Sequence, residues 1–258
     1  MEETWHREDE TLHDLQRGGL RISQKRNGFR FGTDAVLLAD FSAVRPGERI
    51  ADFGTGTGVL PLLIAARSER TRFEALEIQP EIADMAQRSV QMNQMESRIR
   101  IHCADVRDAA TLLGYESVER VVCNPPYTKQ YGGMHSPVPT RALSRHEQVC
   151  PLDEIIRSAG EVIRNGGRLD VIFPSGRMLE MMDVMRKARL EPKRLRLVCA
   201  HAVDAPKLVL IEAIKNARPM LHIEPMLILY DAYGEATQEL KRIYGLPLGC
   251  LLYTSRCV

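Results

Sequence analysis

The sequence predicts an α/β fold, a doubly wound, mostly parallel sheet with an antiparallel pair of strands at one edge. Three observations point there. From residue 49, short apolar runs alternate with segments whose apolar residues recur at helical spacing. The first run ends in the glycine cluster Gly54, Gly56 and Gly58, and the last runs follow one another with little helix between them. Parallel neighbours need a crossover helix, whereas strands that follow directly pair antiparallel.

The elements are expected in this order. Arg49–Phe53 is a strand, and after the glycines Val59–Arg67 is a helix. Residues 73–78 form the next strand. Pro80 suits the first turn of the following helix, where its missing N–H is unneeded, and Ile82, Met85, Ala86 and Val90 keep helical spacing. Residues 98–103 are a third strand, and residues 119–123 a fourth that runs into Asn124-Pro125-Pro126-Tyr127. Leu152, Ile155, Ile156, Ala159 and Ile163 mark one face of a helix, with Gly166 and Gly167 as its left-handed stop. Strand 169–173, helix 178–188 and strands 195–200, 208–214 and 226–230 complete the pattern.

With 44% hydrophobic and 27% charged residues over 258 positions, the profile is that of a globular domain with a sizeable core. No apolar run approaches the ~18 residues of a spanning helix, so no membrane role is expected. Residues 1–10 carry five acids and one arginine, the wrong charge for a secretory signal. The net charge of +1 excludes a histone-like nucleic-acid binder and leaves room for a local basic patch. The cysteines, at 103, 123, 150, 199, 250 and 257, include no Cys-x-x-Cys pair. Reduced, mostly buried thiols in a cytoplasmic protein are expected, and no metal.

Two stretches fall outside the alternation. Residues 11–48 contain Gly18-Gly19 and the run Gly28-Phe29-Arg30-Phe31-Gly32-Thr33-Asp34, and residues 128–150 show no period. Loops that long in compact domains are commonly functional or disordered. Residues 251–258 match no pattern, so the tail 246–258 is given no role.

Asp52-Phe53-Gly54-Thr55-Gly56-Thr57-Gly58 joins a strand to a helix, where glycines let backbone N–H groups and the helix N-terminus come close to a ligand. A dinucleotide fingerprint wants glycines at relative positions 1, 3 and 6. Here they stand at 1, 3 and 5, and Asp52 would repel a pyrophosphate. The same acid suits a ligand carrying an ammonium or sulfonium group. Glu77, ending the second strand, can accept both hydroxyls of a ribose, and Asp105, after the third, can accept from an adenine amino group. Together these positions describe S-adenosylmethionine lying across three strand ends; tight turns with solvated acids are the plainer alternative.

Asn124-Pro125-Pro126-Tyr127 follows the fourth strand, beside the expected methyl donor. As structure alone it is a stiff turn ending a strand. As chemistry, it addresses the poor nucleophilicity of an exocyclic amine whose lone pair is delocalised into a purine ring. The Asn124 side-chain carbonyl and the Pro125 backbone carbonyl can each accept one N–H of that amine. Its lone pair is then directed at the methyl group, and the prolines, Pro126 included, stiffen the carbonyl direction. Tyr127 offers a ring for a splayed base to stack on. No tuned general base is needed, and direct in-line transfer helped by orientation is the expected mechanism.

At this point the chain resembles the bacterial tRNA1(Val) (adenine(37)-N6)-methyltransferases, from about Leu20 to Gly245. The resemblance rests on the Gly28–Leu38 run, the Asp52–Gly58 loop and Glu77-Ile78-Gln79. It continues with Val122-Cys123-Asn124-Pro125-Pro126-Tyr127, Arg145-His146-Glu147 and Glu191-Pro192-Lys193-Arg194. It implies a Rossmann-like class I methyltransferase fold: a doubly wound, mostly parallel seven-stranded sheet with an antiparallel C-terminal edge pair. Residues 1–48 would be an N-terminal cap closing over the cofactor, and residues 49–245 the catalytic domain. By that resemblance Thr33 and Asp34 lie near the methionine end of S-adenosylmethionine. Asp52, Gly54, Thr55, Gly56, Gly58, Glu77, Ile78, Asp105, Val106 and Asn124 complete the cofactor site, and a monomer is implied.

For the RNA, residues 186–196 hold Arg186, Lys187, Arg189, Lys193, Arg194 and Arg196 against Glu191 alone. They suit a phosphate-binding strip, or equally a solvated helix end and an edge strand blunted by charge. Residues 128–150 add Lys129, Arg141 and Arg145, with His135 and His146. A basic lid beside a base-binding site would suit a tRNA anticodon loop, whose bases are already unpaired.

Other readings compete. A release-factor glutamine amide poses the same nucleophile problem, but enzymes of that kind usually carry a longer helical region than the 51 residues that precede the loop here. Guanine N2 of ribosomal RNA is a third acceptor. A non-catalytic adaptor would be expected to have lost the acids or the asparagine, and Asp52, Glu77, Asp105 and Asn124 are all present. A nicotinamide-dependent oxidoreductase is disfavoured by the glycine spacing.

Overall fold

The computed structural model describes residues 5–26, 32–127 and 150–246. It opens on a hairpin, β1 (Glu10–Asp14) and β2 (Arg21–Lys25), followed by helix α1 (Thr33–Phe41). The alternating core then runs β3 (Arg49–Phe53), α2 (Val59–Arg67), β4 (Arg72–Glu77), α3 (Pro80–Met92), β5 (Ile99–Cys103) and α4 (Ala109–Leu113). It continues β6 (Val118–Cys123), α5 (Leu152–Val162), β7 (Ile163–Pro174), α6 (Met178–Lys187), β8 (Leu190–Cys199) and β9 (Leu208–Lys215). Two short strands, β10 (His222–Ile223) and β11 (Leu227–Ile228), and helix α7 (Gln238–Ile243) close the described chain.

Seven long strands lie side by side in the order β5-β4-β3-β6-β7-β9-β8, and β10 and β11 both pair with β8. The neighbours from β5 to β7 are parallel, while β9 is antiparallel to β7 and to β8. The antiparallel pair therefore stands at one edge, as expected, but its later strand lies inward. Composition explains this: β9 (LVLIEAIK) is largely buried, whereas β8 carries Glu191, Lys193, Arg194 and Arg196 and suits the edge. The Glu191-Pro192-Lys193-Arg194 run belongs to β8, which begins five residues before the strand expected from 195. A register shift between Pro192 and Arg194 absorbs the proline, which cannot donate to the ladder.

The expected left-handed stop at Gly166-Gly167 needs correcting. Helix α5 ends at Val162, and the two glycines sit inside β7, beside a register shift against β6. Gly166 has φ +73°, and a Cβ on Gly167 would lie 2.7 Å from the Ile163 methyl and 2.8 Å from the Glu119 carbonyl oxygen. The pair permits a close backbone approach; it does not cap the helix.

The core lies in two layers. On one face of the sheet Ile50, Val122 and Ile172 pack with α1, α2 and α7; on the other Phe53, Val121 and Phe173 pack with α4, α5 and α6. The hairpin docks on α3, where Ser23 N–H donates to Ser89 Oγ (3.0 Å) and Arg88 pairs with the buried Glu10. The C-terminal end of α1 is anchored by three arginines from separate elements. Arg194, Arg67 and Arg120 donate to the carbonyls of Phe41 (2.7 Å), Ser42 (3.3 Å) and Ala43 (3.0 Å). Guanidinium groups suit the unpaired carbonyls and negative pole at a helix end. With that end fixed, Thr33 at the start of α1 is held about 12 Å away, eight rises of ~1.5 Å from Phe41.

Among the described cysteines, Cys123 and Cys199 are buried, Cys150 is half-buried and Cys103 is exposed; all four are free. The expectation of mostly buried thiols thus fails at Cys103. No described helix is long and apolar enough to cross a membrane.

Candidate active site

Strand register brings the predicted residues to one end of the sheet. Phe53 pairs with Leu76 and with Cys123, and Glu77 pairs with Cys103. Gly54, Glu77, Cys103 and Asn124 therefore form a row at the carboxyl ends of β3, β4, β5 and β6. The strand order reverses between β3 and β6, and such switch points open a crevice outside an α/β sheet.

The glycine loop works differently from the sequence expectation. Four of its N–H groups are already engaged: Gly54 and Thr55 both donate to Leu76 O (3.0 and 2.9 Å), Gly56 to Glu77 Oε2 (3.1 Å) and Gly58 to Thr55 O (3.1 Å). What the loop provides is space. Gly54 (φ +73°) and Gly56 (φ +57°) hold left-handed conformations, and a Cβ on either would meet nothing within 4 Å.

Asp52 is fully buried, and neither carboxylate oxygen has a hydrogen-bond partner among the described residues. Burial, reinforced by the charge of Glu77, pushes its pKa up from 3.8 to about 7; the nearby Thr55 hydroxyl works against that shift without forming a bond of normal geometry. A buried acid lacking a partner is costly for the protein alone and suits a ligand that brings positive charge or donors. This is the observation that fits S-adenosylmethionine. It also sets a stability trend. The folded protein holds a proton on Asp52 that the unfolded chain releases above about pH 4, so stability falls as pH rises toward 7 and the full penalty applies above it. Urea titrations of the cofactor-free protein at pH 5 and 8 should show a loss of about 2–4 kcal/mol that is absent in Asp52→Asn. Equal pH dependence in the two proteins would refute the assignment.

Glu77 is buried, and its second oxygen accepts Gln79 N–H (2.9 Å), so one carboxylate braces both the glycine loop and the start of α3. Ile78, next in sequence, leaves 53% of its surface exposed, an apolar face beside two acids that suits a flat heterocycle carrying a sugar. Asp105 caps the turn that holds Val106. Its oxygens accept the Arg107 N–H (2.9 Å) and guanidinium (2.6 and 3.0 Å), which pull its pKa below the usual range. The adenine contact expected of Asp105 thus requires sharing an oxygen already bound to Arg107.

Asn124-Pro125-Pro126-Tyr127 emerges directly from β6. Pro125 is buried, Pro126 exposed, and Asn124 and Tyr127 half-buried. The Tyr127 ring meets Phe173 edge-on (centroids 6.0 Å, 85°), and its hydroxyl lies 2.8 Å from Asp34 Oδ2 and 2.9 Å from Asn124 Oδ1. Thr33 and Asp34 form the first turn of α1, and the Thr33 hydroxyl lies 3.4 Å from that of Tyr244. Sequence reasoning missed two residues here. Arg177, after β7, stacks over Phe173 (4.7 Å) and donates to the Tyr127 carbonyl (3.2 Å), while Phe173 walls the tetrapeptide. No local pattern marks either; only strand order places the end of β7 beside the end of β6.

The predicted RNA contacts fare less well. Lys129, Arg141 and Arg145, like His135 and His146, lie outside the described residues. Residues 186–196 do not form one free strip. Arg194 covers the Phe41 ring at 3.8 Å and pairs with Glu224, and Arg196 binds Glu239 and the Pro225 carbonyl. Lys193 donates to Arg218 O (3.1 Å), and Arg186 pairs with Glu191 (3.3 Å). Register adds a geometric objection. Leu195 is level with Cys123 through Ile211 and Val171, so Leu190 lies five residues lower, about 16 Å, at the end of the sheet away from Asn124. Arg186 and Lys187, ending α6, are at that far end. Lys193, Arg194 and Arg196 are tied into the sheet edge and Arg194 helps secure α1, whereas Lys187 and Arg189 stay exposed.

The family model described as methyltransferase small domain matches residues 27–191. A tRNA1(Val) (adenine(37)-N6)-methyltransferase of Porphyromonas gingivalis is 32% identical over 231 residues, covering 86% of this chain and 89% of the relative. One of Tolumonas auensis is 28% identical over 229 residues, covering 85% and 90%. The crystal structure of a predicted O-methyltransferase, protein Atu636 of Agrobacterium tumefaciens, is similar with a TM-score of 0.68 at 25% identity, covering 82% of this chain and 95% of that one.

Proposed function

The chain belongs to the methyltransferase small domain family and is an S-adenosylmethionine-dependent methyltransferase; from that premise we propose that its acceptor is the exocyclic N6 of an adenine in tRNA, at position 37 in the anticodon loop of a valine tRNA. The observation that carries the reading is Asn124-Pro125-Pro126-Tyr127 standing at the switch point, one strand from the glycine loop. The names of the relatives support the choice of nucleoside.

When bound, S-adenosylmethionine supplies an electrophilic methyl group on sulfur. Asp52 and the open glycines make room and negative charge for it, Glu77 accepts ribose hydroxyls, and Ile78 and Val106 offer apolar surface to its adenine. Asn124 Oδ1 and the Pro125 carbonyl accept the two N–H bonds of the target amine and aim its lone pair. The Tyr127 ring receives the base. The N-terminal cap closes this site through α1, whose Asp34 already reaches Tyr127. Because Lys193, Arg194 and Arg196 are tied into the fold, RNA contact falls to Lys129, Arg141 and Arg145.

The test is methyl transfer from labelled S-adenosylmethionine into unmodified tRNA, ribosomal RNA and release factor, with mass spectrometry of the products. N6-methyladenosine confined to an anticodon loop is the expected result. Label in ribosomal RNA or in protein alone would replace the tRNA reading with the corresponding alternative.

A further inference from the structure

We propose that Asp34 is a positioning residue: acting through the Tyr127 hydroxyl, it sets which end of the Asn124 carboxamide faces the acceptor nitrogen. The inference rests on the reading of Asn124 as an acceptor of the target N–H.

Tyr127 Oη has two oxygen neighbours, Asp34 Oδ2 at 2.8 Å and Asn124 Oδ1 at 2.9 Å, but only one proton. An ionised carboxylate is solely an acceptor, and the stronger of the two, so the proton goes to Asp34. The lone pairs of Oη then face Asn124. A half-turn of the carboxamide exchanges its oxygen and nitrogen, placing –NH2 against Oη as donor and turning the carbonyl away from Tyr127. All three groups are then satisfied, and the carbonyl is free for the target amine. With the opposite proton direction, the carboxamide would present –NH2 to the amine, donor against donor.

The surroundings hold this arrangement still. Tyr127 is braced by Phe173, and Arg177 clamps both the Phe173 ring and the Tyr127 carbonyl. Asp34 rides on a helix fixed at its other end by Arg67, Arg120 and Arg194. Burial, and then the charge and hydrogen bond of Asp34, keep the phenol pKa far above its ordinary 10, so the hydroxyl retains its proton throughout the working range.

Two measurements test the relay. In 15N-labelled protein without cofactor or RNA, the Asn124 side-chain amide signals are identified by their loss in Asn124→Ala. Both Tyr127→Phe and Asp34→Ala should move them, and Asp34→Ala placed on Tyr127→Phe should leave them where Tyr127→Phe put them. In turnover, each single variant should lose about 5- to 30-fold in kcat, with the double variant no more than about 2-fold below the weaker single. Unmoved Asn124 signals in the isosteric Tyr127→Phe, or multiplicative losses in the double variant, would each overturn the proposal. The resonance measurement needs no acceptor, so it stands or falls apart from the tRNA assignment.

Discussion

Asn124→Ala is expected to lower methyl transfer by at least ~100-fold while cofactor affinity stays within a few-fold. The side chain lies one residue beyond β6, stiffened by Pro125 and Pro126 behind it and bonded at 2.9 Å to Tyr127. Alanine keeps the backbone and removes only the side-chain acceptor for one N–H of the target amine. That bond strengthens as the nitrogen pyramidalises, so its loss falls on kcat rather than on binding. Cofactor affinity is read by calorimetry and turnover by label incorporation. Retained turnover would show that Asn124 is only part of a turn, and a large loss of cofactor affinity would move it to the cofactor pocket.

Arg120→Ala is expected to cost about 3–5 kcal/mol of folding stability, measured by urea denaturation at pH 7. Arg120 is 1% exposed and surrounded by Glu48 (3.0 Å), Asp170 and Glu212 (3.4 Å), with a further bond to the Ala43 carbonyl. These charges outweigh its burial and hold its pKa well above the ordinary arginine value. Removing the guanidinium leaves the wholly buried Asp170 without that partner and releases one anchor of α1. Adding Asp170→Asn to Arg120→Ala should recover part of the loss, because the stranded charge goes with it. A loss below about 1 kcal/mol would mean that the neighbouring Arg168 and Arg194, both near Glu212, take over the role.

Much of this molecule is legible in local pattern. The helix expected over Val59–Arg67 is the observed α2, and the strands ending at Phe53, Cys103 and Cys123 end there. These segments are strongly apolar and bounded by glycine, proline or a turn, so local preference and burial agree. The hairpin, α1 and α7 were not legible. β1 and β2 mix polar and apolar residues and are ordered by Ser89 and Arg88 of α3, 66 and 78 residues away. α1 has an unbroken apolar run, Ala35–Ala39, with no periodicity to read, because it is covered on several sides.

By itself, the sequence determined the chemistry: an acid before a glycine loop, a second acid ending the next strand, and Asn124-Pro125-Pro126-Tyr127 ending the fourth. These are local groupings, and strand alternation alone places them at one end of a parallel sheet. Only the tertiary structure decided what each group is free to do. It spends the Gly54, Thr55 and Gly56 N–H groups on β4, leaves Asp52 without a partner among the described residues, ties Asp105 to Arg107, and draws Lys193, Arg194 and Arg196 into the sheet edge. The reason is physical. Whether a charge or a donor is available depends on which groups from distant segments lie within about 3 Å of it, and no local spacing records that.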